Sequence, residues 1–319
     1  MACEDKLNKK ILLLGGFGFI GTNLTEELIK RKEYDIIIFE TENVFIQNPD
    51  LLKKVQTYYG DFHNEEEYER IFKENRVDMV IHLITTTNPS SSNKDIVFDI
   101  KSNLINTINL LNIMVKYNCK NILFLSSGGT IYGRPDNASK KKEIDSKKPI
   151  SSYGIIKLTI EKYLYLFNYL YGLNYLILRV SNPFGEYHNN PKQGLINVIL
   201  KKVLDHEPVE IWGDGSVVRD YIYIKDLVKI VVALIEKKIQ NEIVNVGSGI
   251  GYSINDLLKI IQKEIGNFQI EYKDARQVDI PYIVLEINKL KKLIDVNLTS
   301  IEDGIKRTFE WLKKSSMGG

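Results

Sequence analysis

Tyr153 and Lys157 stand four residues apart in Tyr-Gly-Ile-Ile-Lys, a spacing that puts a phenol and an ammonium on one face of a helix. A free tyrosine titrates near pH 10, and lowering a pKa by one costs roughly 1.4 kcal/mol, so about 4 kcal/mol of bias makes the phenolate available near neutrality. A neighbouring ammonium is one source of that bias. The chemistry is that of a general base removing a proton from a hydroxyl. Tyr221 and Lys225 share the spacing, but Tyr-Ile-Tyr-Ile alternates as a strand does, which holds such a pair about 13 Å apart and uncoupled.

A second chemical pattern runs from Lys10 to Gly21, Lys-Ile-Leu-Leu-Leu-Gly-Gly-Phe-Gly-Phe-Ile-Gly. The apolar run without a polar face reads as a buried parallel strand, and a helical pattern opens after the last glycine with Thr22, Asn23, Leu24, Glu27, Leu28 and Ile29. Gly16, Gly18 and Gly21 satisfy G-x-G-x-x-G, and Gly15, Gly18 and Gly21 satisfy the wider spacing. Such a turn lets a backbone approach a pyrophosphate and offers it the amides of a helix N-terminus. Asp35 to Phe39 reads as the second strand and Glu40 ends it, where a dinucleotide fold places the carboxylate that accepts from the adenosine ribose hydroxyls. Thr41, Glu42 and Asn43 supply no cation for a 2′-phosphate, which favours NAD over NADP. A positive nicotinamide ring is then a second source of bias on Tyr153.

The elements that must position these groups alternate between strand and helix. Strands are expected at Val55–Tyr59, Met79–His82, Asn121–Ser126 and Leu173–Val180, and helices at about 64–75, 96–117 and 152–171. Asp61, after the third strand, can cap an amide or reach the adenine; His82 reads as a packed imidazole rather than a base. The fold class is α/β, a doubly wound, Rossmann-like parallel sheet with a smaller C-terminal α/β substrate lobe. Residues 1–180 form the NAD-binding domain, with 223–250 returning to it, and 181–319 are mainly the substrate lobe. The helix at 152–171 is apolar nearly all round and must be covered on both faces, which argues for a dimer.

Composition narrows the function classes. At 319 residues and 44% hydrophobic the chain is globular, and a net charge of +2 without a basic stripe gives no footprint for nucleic acid. Lys140 to Lys148, interrupted by Glu143 and Asp145, reads as a solvated loop. Two cysteines, Cys3 and Cys119, and four histidines without ligand spacing support neither a disulfide framework nor a metal site. No apolar run is long enough to span a bilayer and the first residues do not resemble a signal peptide, so the expectation is a cytoplasmic protein.

Several motifs in order resemble the extended short-chain dehydrogenase/reductase family, and more narrowly the UDP-glucose 4-epimerase branch of its NAD-dependent sugar-nucleotide epimerases. They are Gly15 to Gly21, Asn103 in Asn-Leu-Ile-Asn-Thr, Leu125-Ser-Ser-Gly-Gly-Thr-Ile-Tyr-Gly133, Tyr153 with Lys157, Arg179-Val-Ser-Asn-Pro183 and Arg219-Asp-Tyr221. The resemblance spans about Lys10 to Trp311. It implies a tightly held NAD, a nucleotide-diphosphate sugar substrate and a homodimer built from the two long helices. It assigns the dinucleotide to Gly15, Gly18, Phe19, Ile20, Gly21, Glu40, Asp61, Phe62, Asn103, Tyr153 and Lys157. Asn182, Asn197, Arg219 and Arg276 match substrate-binding positions, the arginines suited to a diphosphate by their fork geometry. The implied reaction is hydride shuttling at C4. Tyr153 takes the proton of the 4-hydroxyl, hydride leaves and returns to the other face, and a 4-keto sugar lies between.

One position departs from the family. Relatives carry Ser or Thr four residues before the Tyr of Thr-Ile-Tyr-Gly, and here Gly128 stands there, so that Thr130, then Ser127, or a water must take over the hydroxyl's role. The acid pair of the dehydratases is replaced by Gly129 and Thr130, which disfavours 4,6-dehydration. Two alternatives stay open: a 4-keto-sugar reductase on the same scaffold, and a weakly catalytic NAD-binding regulatory protein.

Overall fold

The computed structural model describes residues 8–134, 138–188, 190–191, 193–274 and 280–317. The apolar run before the glycines is β1 (Lys9–Leu14), whose last four residues are buried on both faces as a central parallel strand requires. It pairs in parallel with β2 (Tyr34–Glu40) on one side and β4 (Met79–His82) on the other, Leu14 lying between Phe39 and His82. With β3 (Gln56–Tyr59), β5 (Asn121–Ser127), β6 (Asn174–Val180) and β10 (Glu242–Val246), the sheet runs β10-β6-β5-β4-β1-β2-β3. The order reverses at β1 and β4, and the crevice outside strand carboxyl ends at such a reversal is where doubly wound sheets take ligands. The expected Rossmann-like α/β fold is the observed one.

Helices α1 (Phe19–Ile29) and α2 (Glu65–Glu74) follow β1 and β3. The helix expected at about 96–117 is interrupted. It consists of α3 (Ile96–Asp99), a π-helical turn (Ile100–Ile105) and α4 (Asn106–Lys116). Single π turns inside α-helices gather at functional sites, and this one carries Asn103. α5 (Ser152–Tyr171) starts where Ser151 accepts from the Gly154 amide and stops at Gly172, left-handed at φ 65°. Its Ile156, Ile160, Leu164 and Phe167 are buried in the core, while Ile155, Tyr165, Leu166, Tyr169 and Leu170 on the other side are exposed.

The chain divides into two compact units, 1–126 with 151–178 and 235–243, and 127–150 with 179–234 and 244–319. Within the second, β9 (Val218–Tyr223) pairs with β7 (Asn182–Phe184), β11 (Gly251–Ser253) and β13 (Tyr282–Ile283), and β8 (Val209–Trp212) pairs with β12 (Ile270–Lys273). Two sequence expectations change here. Tyr221 does lie on β9, but the strand ends at Tyr223 and Lys225 belongs to the helix that follows it (Ile224–Glu236). The loop expected to be solvated at 140–148 is anchored: Lys141 bridges Leu285, and Glu143 accepts from the Asn245 amide at 2.9 Å. Its lysines at 140 and 142 are exposed, so charge alone concealed the backbone pairing.

Candidate active site

Three of the four glycines of the turn are needed for different reasons. Gly15 has φ +86°, and a Cβ on Gly21 would sit 2.2 Å from the Gly15 carbonyl oxygen, so both serve the turn itself. A Cβ on Gly18 would meet only that same oxygen, at an ordinary 3.5 Å, and otherwise enter open space. No atom of the described residues therefore demands glycine at 18. The position caps α1 without any side-chain hydrogen bond, and Phe19, Ile20 and Gly21 form the first turn behind it. An anion drawn to a helix N-terminus approaches along this line. The cradle fits the pyrophosphate of a dinucleotide.

Glu40 ends β2 beside this turn, buried, with Oε2 accepting from the Phe17 amide and Oε1 from the Thr41 amide, each at 3.2 Å. Burial raises its pKa and the two amides oppose the rise. A carboxylate has about four lone-pair sites, so two remain for ribose hydroxyls. Asp61 is exposed and its Oδ1 accepts from the His63 amide (2.9 Å) and ring Nδ1 (2.6 Å), bonds that hold the carboxyl below its usual range. Phe62 is buried between Tyr68 and His82, with ring centres 5.1 and 5.5 Å away.

Tyr153 and Lys157 come together as their spacing predicts. Lys157 is buried; its Nζ donates to the Leu125 carbonyl at 2.9 Å and lies 4.6 Å from the Phe124 ring centre and 5.6 Å from that of Tyr153. Burial pushes its pKa down to about 8, against the pull of Asp99 and Glu161. His82 is the packed imidazole expected: Nε2 is 2.9 Å from Thr107 Oγ1, and burial with the Lys157 charge pushes its pKa down to about 3. Asn103 is buried on the π turn, where Oδ1 accepts from the Thr86 amide at 3.0 Å and Nδ2 donates to Thr86 Oγ1 at 2.8 Å. It fixes the polar loop after β4. Asp99, which the sequence motifs do not single out, joins this group four residues before Asn103 and accepts from Asn103 Nδ2 at 2.9 Å. The i, i+4 spacing was the available signal.

In the second unit, Ser127 ends β5 half-buried, and the Thr130 Oγ1 is covered and has no hydrogen-bond partner among the described residues. A Cβ on Gly128 would stand 2.6 Å from Leu285 Cδ1 and 3.0 Å from the Arg179 carbonyl oxygen. The leucine therefore occupies the space of the family's hydroxyl side chain. Asn182 Nδ2 donates to the Asp220 carbonyl at 2.8 Å, and Asn197 uses its amide on both sides of Gly185, accepting from N at 3.0 Å and donating to O at 2.8 Å. Arg219, on β9, donates to the Val218 carbonyl at 2.9 Å. Its neighbour Asp220 is fully buried and accepts from the amides of Ser248, Gly249 and Leu285, tying two segments to the strand. Arg276 and Cys3 lie outside the described residues.

Comparison with known proteins identifies the family. Residues 11–247 match the model of the NAD dependent epimerase/dehydratase family. A provisionally named UDP-glucose 4-epimerase of Methanocaldococcus jannaschii is 37% identical over 311 residues, covering 96% of this chain and 99% of its own. The crystal structure of Thermotoga maritima UDP-glucose 4-epimerase with UDP-glucose is 33% identical, with a TM-score of 0.89 over 96% of this chain and 99% of that one. A dTDP-4-dehydro-6-deoxyglucose reductase of Escherichia coli is 30% identical over 321 residues, 97% of this chain and 99% of its own. With its glycine cradle, terminal Glu40 and Tyr153/Lys157 pair in place, this chain belongs to the NAD-dependent epimerase/dehydratase family and is an NAD-dependent enzyme.

Proposed function

We propose that the protein is a 4-epimerase of a nucleotide-diphosphate sugar, acting on UDP-glucose and UDP-galactose or their N-acetyl counterparts. The observation that carries this is Lys157, buried below the Tyr153 ring and fixed to the Leu125 carbonyl, within the unit that holds the glycine cradle. Bound NAD supplies a hydride acceptor that can also return the hydride. Tyr153 accepts the proton of the sugar 4-hydroxyl, and the positive charge of Lys157 favours the phenolate that does so. Glu40 selects NAD, because a carboxylate repels a 2′-phosphate. Gly15, Gly18 and Gly21 hold the diphosphate of the cofactor, and Arg219 and Asn182 face the task of binding that of the substrate. Ser127 orients the 4-hydroxyl in place of the family's Ser or Thr; Thr130 would first have to turn its covered oxygen outward.

The reductase relative supports a second reading, reduction of a 4-keto sugar. Two substrates separate the readings: a sugar nucleotide carrying deuterium at C4, and a 4-keto sugar nucleotide offered with NADH. An epimerase inverts the first and keeps the label at C4 without consuming NADH. No turnover of the first, with reduction of the second in step with NADH oxidation, would establish the reductase.

A further inference from the structure

The side chains of Asp99, Lys157, His82, Asn103, Thr107 and Tyr153 line a cavity of about 10 Å³, the room one water molecule needs. Asp99 is 1% exposed. Its Oδ1 accepts from Thr87 Oγ1 at 2.5 Å and from Asn103 Nδ2 at 2.9 Å, while Oδ2 has no hydrogen-bond partner among the described residues. His82 Nδ1, on the same cavity, has none either. A buried carboxylate oxygen left unpaired is costly, and so is a buried ammonium whose one described acceptor is a carbonyl. Together across a water-sized space they offset each other.

We propose that Asp99 is a positioning residue for catalysis: through a single water in this cavity its Oδ2 balances the ammonium of Lys157 and keeps it protonated beside Tyr153. The water has the partners it needs, accepting from Lys157 Nζ and donating to Asp99 Oδ2 and His82 Nδ1. The π turn brings Asp99 and Asn103 onto this cavity together. The groups facing Lys157 are Asp99 from α3, His82 from β4, and Tyr153 and Glu161 from its own helix. His82 is uncharged there, and Glu161 Oε1 accepts from Ser126 Oγ at 2.6 Å. Asp99 is thus the carboxylate on the cavity itself. Without it the ammonium would lose its proton at lower pH, since burial already disfavours the charged form.

Asp99→Asn tests this cleanly, because the carboxamide oxygen can keep both bonds from Thr87 and Asn103 while the charge is lost. The alkaline limb of kcat against pH, set by loss of the Lys157 proton, should move down by at least one pH unit, with a loss of kcat at pH 8 of about fivefold or more. An unmoved limb would overturn the proposal, whatever the loss of amplitude. It rests on Tyr153 as the base, so thermal unfolding supplies a test free of activity: Asp99→Asn should lower Tm in the wild-type background and leave it unchanged or raise it in a Lys157→Met background. Equal losses in both, or failure to fold in both, would show that Asp99 serves only the loop.

Discussion

Glu40 does two things that a single substitution separates poorly: it holds the Phe17 amide at the glycine turn and presents a negative charge where a ribose would lie. Glu40→Ala should weaken NAD binding by roughly tenfold, since a hydrogen bond to a charged group is worth about 1.5–3 kcal/mol, and should weaken NADP binding less. Isothermal titration of both cofactors checks this, and an unchanged ratio of affinities would remove Glu40 from selectivity. Gly128 makes a sharper case. Gly128→Ser drives a Cβ into Leu285 and should cost about 1–3 kcal/mol of stability rather than restore a stronger enzyme. In a Leu285→Val background the same change should cost less. Additive costs by denaturant unfolding would mean that Leu285 is not the obstacle.

At the scale of elements, the first turn of α5 sets the direction of Tyr153, and Ser151 caps it with a 3.2 Å bond from the Gly154 amide. Ser151→Ala should cost about 1 kcal/mol and lower kcat more than it raises KM, because the helix start frays beneath the base. Steady-state kinetics beside a melting curve would show it; normal kcat with a lowered Tm would detach the cap from catalysis. The glycine turn and the Tyr153/Lys157 spacing were legible in the sequence because each is a local pattern with a fixed period. The π turn was not, since Ile100–Ile105 is as helical in composition as its flanks. Asp99 was hidden for a different reason: a lone carboxylate in a helix reads as part of its solvated face until burial is known, even between Phe98 and Ile100. The pairing of Lys141 with Leu285 spans more than 140 residues, a distance over which no local pattern speaks. Leu285 filling the space at Gly128 was invisible on the same grounds.

For the whole molecule, no helix among the described residues is long and apolar enough to cross a membrane. Exposed apolar side chains nevertheless line two adjoining helices, with Val97 60% exposed on α3, and Ile155 52%, Tyr169 79% and Leu170 53% along α5. An uncovered patch of this kind marks an interaction surface, and a second copy of the chain satisfies it symmetrically. We propose a homodimer through this face. Leu170→Glu should therefore yield a monomer by light scattering at micromolar concentration, whereas a wild-type monomer would contradict the proposal. Epimerisation at C4 is read by proton NMR of the anomeric signals, with purified protein incubated separately with UDP-glucose, UDP-galactose and their N-acetyl counterparts. At least one of these pairs should be brought to the same mixture from either side, with no reductant added, and Tyr153→Phe should stop this while NAD stays bound. No C4 epimer from any of the four, or undiminished turnover in Tyr153→Phe, would contradict it.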